Sequence, residues 1–237
     1  MAALLFSACQ SDKQAQQNLP YPQTTKSDHV DNYHGEEVPD PYQWLEDDLS
    51  DETATWVKAQ NEVTFNYLDQ IDFRTNLKKR LEQLNNYEKI SAPFREGKWE
   101  YFYKNDGLQN HSIVYRTPVD APDSEPEVFL DPNTFSKDGT TGLSGMYFSK
   151  DGSLVAYLIT EGGSDWRKVF VMETESRQLL GEPLEDVKFS GISWKGNDGF
   201  FYSSYDNPDK QNNSQLSAKT AYHKLFYHKL GEPQSGD

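Results

Sequence analysis

The sequence is poor in cysteine, in basic residues and in long apolar runs. Cys9 is the single cysteine among 237 residues. One thiol excludes an intrachain disulfide and any zinc site built from several cysteines. Lys and Arg number 23 against 38 Asp and Glu, a formal net charge of −15. So acidic a chain lacks the basic surface that phosphate backbones require, which excludes nucleic acid as a partner. It also excludes docking on an anionic membrane through protein charge. No run of 18 or more apolar residues occurs, so no membrane-spanning helix is expected. The phosphate-cradling patterns G-x-G-x-x-G and G-x-x-x-x-G-K-[ST] are missing as well.

What is plentiful is aromatic: 5 Trp, 14 Tyr and 13 Phe. That is too many for a disordered chain, and it leans towards β structure. The first eight residues, MAALLFSA, form a short apolar run ending in small residues before Cys9, and the chain then turns polar. The pattern resembles the end of a bacterial lipoprotein signal, with Cys9 as the lipidated residue. An apolar terminus with an unmodified cysteine is the alternative. Residues 10 to 27 are rich in Gln, Ser and Thr and read as a linker. The expected location is exported, either periplasmic or lipid-anchored, with membrane contact only through a lipid on Cys9.

Residues 28 to 93 read as extended and then helical. Pro39 and Pro41 block a helix before Asp48. Ser50 is a good N-cap, followed by the acidic Asp51 and Glu52. Trp56, Ala59, Val63, Tyr67 and Ile71 then recur at helical spacing. A second helix starts near Thr75, with Leu77, Leu81 and Leu84 as its stripe. From residue 94 to 237 the period changes. Short aromatic or β-branched runs such as WEYFYK (99–104), SLVAYLIT (153–160) and GFFYSSY (199–205) alternate with Asp-Gly and Gly-Gly turns. That pattern predicts antiparallel hairpins. Trp99, Met146 and Trp194 recur 47 and 48 residues apart, inside the range of propeller blades. About three blades fit, fewer than the 4 to 8 a closed propeller uses. A non-repetitive β-sandwich fits the pattern too.

Chemistry-bearing motifs are sparse. Gly162-Gly163-Ser164-Asp165-Trp166 and Gly191-Ile192-Ser193-Trp194-Lys195 start like a nucleophile elbow. Both lack the final glycine and the strand-to-helix context, so they read as ordinary turn and strand serines. His223 and His228 lie five apart in a strand-like run and face opposite ways, so no metal site is expected. His111 reads as the satisfier of a turn. The acidic pairs near residues 36, 46 and 51 read as solvated surface. No cofactor is implied.

Five ordered strings carry a family resemblance. DNYHGEEVPDPYQWLEDD (31–48), YFYKNDGLQNHSIVYRT (101–117), SKDGSLVAYLITEGGSDWRKVFVME (149–173), VKFSGISWKGNDGFFYSSYDNP (187–208) and HKLFYHKLGEPQSGD (223–237) together resemble the N-terminal part of prolyl oligopeptidases. The resemblance implies a mixed fold. Residues 28–93 would be an N-terminal α segment of an α/β-hydrolase peptidase domain. Residues 94–237 would be about the first three blades of a seven-bladed β-propeller, not closed within this chain. It implies a serine endopeptidase acting after proline on short peptides, with its Ser, Asp and His in a C-terminal hydrolase domain absent here. This chain is therefore expected to be inactive alone, with no catalytic residue, and to contribute substrate gating and domain docking. Its implied partners are a peptide substrate and that C-terminal domain. The one propeller position carried over is Phe189, as a substrate-binding aromatic; a blade-core aromatic is its alternative. A stand-alone, non-catalytic binding module is the competing function.

Overall fold

The computed structural model describes residues 19–205 and 220–237. Cys9 lies outside the described residues, as does Asn212-Asn213-Ser214, a stretch that matches the N-x-[ST] glycosylation pattern. The chain divides into two compact units between Arg74 and Thr75.

In the first unit, β1 (Val30–Tyr33) pairs antiparallel with β2 (Glu36–Pro39). His34 and Gly35 turn between them with φ of 58° and 96°. Two consecutive positive φ values are what a two-residue I′ hairpin needs to match the strand twist. The Asn32 side-chain oxygen accepts from the Gly35 N–H at 2.9 Å. The proline-bearing stretch is extended as expected, then closes a 3₁₀ turn at Gln43–Glu46. Helix α1 (Asp51–Asp69) starts where its cap predicts: Ser50 Oγ accepts from the Thr53 N–H at 3.1 Å. Two indoles tie the preceding chain down. Trp44 Nε1 donates to the Thr25 carbonyl and Trp56 Nε1 to Thr24 Oγ1, both at 3.0 Å. Trp56, Ala59, Val63 and Ile71 are half-buried, whereas Tyr67 is exposed. Helix α2 (Arg74–Asn85), which from Thr75 on belongs to the second unit, forms on its expected span but buries no residue, and Leu77, Leu81 and Leu84 all remain about half exposed.

The second unit is built from three antiparallel sheets. The first holds β3 (Lys89–Ile90), β4 (Phe94–Glu96), β5 (Trp99–Asn105), β6 (Ile113–Pro118) and β7 (Glu127–Leu130), with β3 and β4 sharing one edge of β5. The second is a four-stranded meander of β8 (Thr141–Phe148), β9 (Leu154–Glu161), β10 (Trp166–Glu173) and β11 (Leu184–Lys188). The third holds β12 (Ser193–Lys195), β13 (Gly199–Ser204) and β14 (Lys224–Lys229).

The sheets pack face to face through two aromatic-rich cores. Alternation along β9 explains both. Val155, Tyr157 and Ile159 join Tyr101, Val114 and Phe129 of the first sheet, while Ala156 and Leu158 join Phe200 and Tyr202 of the third. A strand buried on both faces must be a continuous apolar run, which is why SLVAYLIT lacks polar alternation. The outer faces of the first and third sheets stay open, with Phe102 stacked on Tyr115 and Phe201 tilted against Tyr227. This is a three-blade, unclosed propeller stack rather than a sandwich.

The phase of the repeat differs from the one its aromatics suggest. Met146 and Trp194 lie in the first strand of their sheets, but Trp99 opens β5, which follows β3 and β4 in its own. The positions that correspond are the positive-φ glycines of the first hairpins, Gly97, Gly152 and Gly196, at unequal intervals. Insertions between strands displace the aromatic markers, whereas the turn must keep its left-handed residue.

These hairpins lock the sheets together at one end. Gly97 and Gly152 meet backbone to backbone: a Cβ on Gly152 would sit 2.5 Å from Gly97 Cα. The Asn197 amide donates to Asp151 Oδ2 at 2.8 Å. Arg116 of β6 reaches across, donating to the carbonyls of Thr174 and Glu175 and to Glu127 Oε1 at 2.6 Å. Its guanidinium lies 3.8 Å from the Trp99 ring centroid.

Candidate functional site

The opposite end of the sheets is where side chains remain available. Strand register places the β9–β10 turn, the β11–β12 connection (residues 189–192) and the residues bordering β13 and β14 at this end. Phe189 follows directly on β11. It is 53% exposed, belongs to neither core, and holds φ at 52°. A left-handed aromatic is strained, and such residues persist only where their surroundings over-determine them. Packing in the blade core, the alternative to a binding role, does not describe this side chain.

Its neighbours are aromatic and cationic. The Tyr205 ring meets Phe189 edge-on at 6.3 Å, and His223 stacks on Tyr205 at 4.5 Å. The Lys188 ammonium lies 5.2 Å from the Phe189 centroid and 4.8 Å from that of Trp166, the residue opposite Lys188 across β10 and β11. Arg167 Nη1 donates to the Ser190 carbonyl at 3.5 Å. The Ser190 hydroxyl in turn accepts from the Ser203 N–H at 2.8 Å, joining the connection to the third sheet. Beside it runs an open groove of about 360 Å³, lined by Tyr147, Ile192, Phe201, Ser203 and Leu225 among others.

The remaining candidates fall into ordinary roles. Ser164 sits in the β9–β10 turn after two left-handed glycines, and Ser193 opens β12; neither precedes a helix. His111 bridges two loops, its Nε2 3.0 Å from the Gly139 carbonyl. His223 is exposed at the loop end, whereas His228 is buried, with Nδ1 3.0 Å from Asp237 Oδ1. Tyr202 donates to the same Asp237 carboxylate at 2.8 Å. Burial, opposed only in part by the Gln234 hydrogen bond, holds the Tyr202 phenol well above its usual range. Asp138 and Asp151 cap turns. The Thr140 N–H lowers the first carboxyl, and the Ser153 N–H followed by the Asn197 amide lowers the second. Lys188, Arg167 and Tyr205 escaped the sequence reading, which considered His223 only as a metal ligand and set it aside. Their grouping comes from strand pairing and has no local motif.

Stacked antiparallel sheets that do not close define the class: part of a β-propeller. Residues 22–237 match the model of the prolyl oligopeptidase N-terminal beta-propeller domain. The chain is 52% identical to a prolyl endopeptidase of Elizabethkingia miricola and 53% identical to one of Elizabethkingia meningoseptica. In both cases the match covers all of this chain and 33% of the relative. The solved structure of prolyl oligopeptidase B from Galerina marginata, bound to a 25mer macrocyclization substrate, superposes with a TM-score of 0.73 at 33% identity. That match covers 92% of this chain and 33% of the other. The chain belongs to the prolyl oligopeptidase family and spans about a third of the length of the curated relatives it matches.

Proposed function

We propose that this chain serves as the N-terminal, propeller-containing part of a serine-type endopeptidase that cleaves short peptides after proline. The match to the family's N-terminal domain over residues 22–237 carries the reading. In that reaction a serine attacks the carbonyl, a histidine takes its proton, and backbone donors hold the oxyanion. Those groups belong to a C-terminal α/β-hydrolase domain. This chain contributes gating, one wall of the substrate cavity through Phe189, and docking of that domain. Residues 28–93 are assigned to the peptidase domain and 94–237 to the propeller. No observation favours the stand-alone binding module.

The test joins residues 28–237 to the C-terminal two-thirds of the Elizabethkingia miricola relative. The joined protein is expected to release a chromogenic amide after proline, and the 237-residue chain alone is not. A folded joined protein without activity, or cleavage by the chain alone, refutes the proposal. Residues 1–27 are read as a signal and linker with Cys9 lipidated, placing the protein in the periplasm or on a membrane by its lipid. Mass spectrometry of the protein from its source decides this: full-length chain with unmodified Met1 refutes it.

A further inference from the structure

Lys188 is 9% exposed, so most of its stem is enclosed by protein. An ammonium on an enclosed stem is held best where something answers its charge. Among the described residues no carboxylate pairs with Lys188. What faces its Nζ is two ring surfaces, Trp166 at 4.8 Å and Phe189 at 5.2 Å. Both fall within the roughly 6 Å over which ring quadrupoles attract a cation. Trp166 is itself buried at 6% exposure and fixed opposite Lys188 in the sheet. The arrangement has one anchored ring, one cation on an enclosed stem and one exposed ring on strained backbone. Among the described residues, the other ring that meets Phe189 is Tyr205, edge-on.

We propose that Lys188 is the positioning residue of the Phe189 subsite. Its ammonium clamps the exposed Phe189 ring to the anchored Trp166, and its charge turns cationic peptide side chains away from that ring. The first half stands on geometry alone. The second rests on the reading that Phe189 meets the peptide. Arg167 of β10, bonded to the Ser190 carbonyl of the neighbouring connection, adds a second positive charge to the same rim. A local cationic rim opposes the pull that a net charge of −15 would otherwise exert on basic peptides. Apolar side chains are thereby favoured against Phe189 over Lys or Arg.

The experiment uses the 237-residue chain carrying 4-fluorophenylalanine, with the Phe189 fluorine resonance assigned by its loss in Phe189→Leu. Lys188→Arg keeps a cation between the rings and is expected to leave that resonance within a linewidth of its parent position. Lys188→Met keeps the stem and removes the charge, and is expected to shift the resonance by more than a linewidth. Lys188→Gln serves the same purpose where the methionine variant does not fold. An unmoved resonance in a folded methionine or glutamine variant overturns the proposal. An arginine variant that moves as far as the methionine one does so too. N-acetyl-Ala-Leu-Pro and N-acetyl-Ala-Lys-Pro are then titrated against the same resonance. The leucine peptide is expected to bind at least threefold more tightly, and the difference to vanish in Lys188→Met. Equal affinity for both peptides in the parent chain overturns the charge-selection half. If neither peptide moves the resonance, the reading of Phe189 as a peptide contact fails, and the clamp is still decided by the Lys188 variants.

Discussion

Truncating Arg116 to alanine is expected to remove a buried polar tie between the first two blades, whose apolar core remains. The residue is 2% exposed and reaches from β6 to the turn after β10. Thr174 is 3% exposed, so its carbonyl has no water to replace the guanidinium. A buried acceptor left unpaired costs about 1–3 kcal/mol. The guanidinium also lies 3.8 Å from the Trp99 centroid and 5.0 Å from that of Phe129, and a desolvated cation–π contact contributes about 2 kcal/mol. The Glu127 pair adds little, because that carboxylate side chain is 44% exposed and solvent screens such pairs to about 1 kcal/mol or less. The expected loss is about 4 kcal/mol, consistent with the 3–5 kcal/mol typical of breaking a buried pair from one side. Urea denaturation followed by tryptophan emission reads it, since Trp99 lies directly beneath the guanidinium. Arg116→Met should lose less, because an apolar replacement restores packing while leaving Thr174 unpaired. Arg116→Lys should fall nearer alanine, since a point cation cannot stack flat on Trp99 and reach two carbonyls. A loss below about 1 kcal/mol for alanine, against the one-sided penalty expected here, refutes the clamp.

Three further outcomes follow from the same geometry. Gly152→Ala is expected to destabilise far more than Gly162→Ala. Both glycines have positive φ, 72° and 58°, but only at Gly152 would a Cβ run into another backbone, whereas Gly162 has open space; equal urea midpoints for the two variants would count against the Gly97–Gly152 contact. Burial pushes the Tyr101 phenol up to about 12, with the Arg116 charge opposing it. A folded pKa above the unfolded value of about 10 means stability is intact below pH 10 and lost as pH rises towards 12. Tyr101→Phe, which also removes an unpartnered buried hydroxyl, should flatten that alkaline loss in a pH–urea series. Asp151, held below the usual carboxylate range by the Ser153 N–H and then by Asn197, stabilises above its unfolded pKa, and that stability is lost as pH falls through the folded value. Asp151→Asn should therefore lower the urea midpoint at pH 7, with the gap to the parent chain narrowing in acid; a gap that is constant with pH would contradict the assignment.

Local chemistry was enough to read much of this chain. The Ser50 cap, the start of the second helix near Thr75, and most strands from Trp99 to Lys229 follow from spacing, capping and turn residues, because each is settled within a few residues. The doubly buried β9 announces itself as an unbroken apolar run for the same reason. The ordered strings from 31 to 237 also carried the family. Other features depend on partners distant along the chain. Strand β4 is three residues long and exists because β5 offers it an edge. The register of the blades is set by Gly97, Gly152 and Gly196, which mark equivalent turns only once the sheets are stacked. Arg116 reads as an ordinary strand arginine until Thr174 and Trp99 close around it. Lys188 reads as a solvated lysine at a strand end until Trp166 pairs with it and Phe189 turns back over its ammonium. Propensity and capping act between near neighbours, so sequence by itself determined the elements and the family. Burial and charge neutralisation depend on what arrives from elsewhere, so only the tertiary structure decided which polar side chains are enclosed and which aromatic stands open at the loop end.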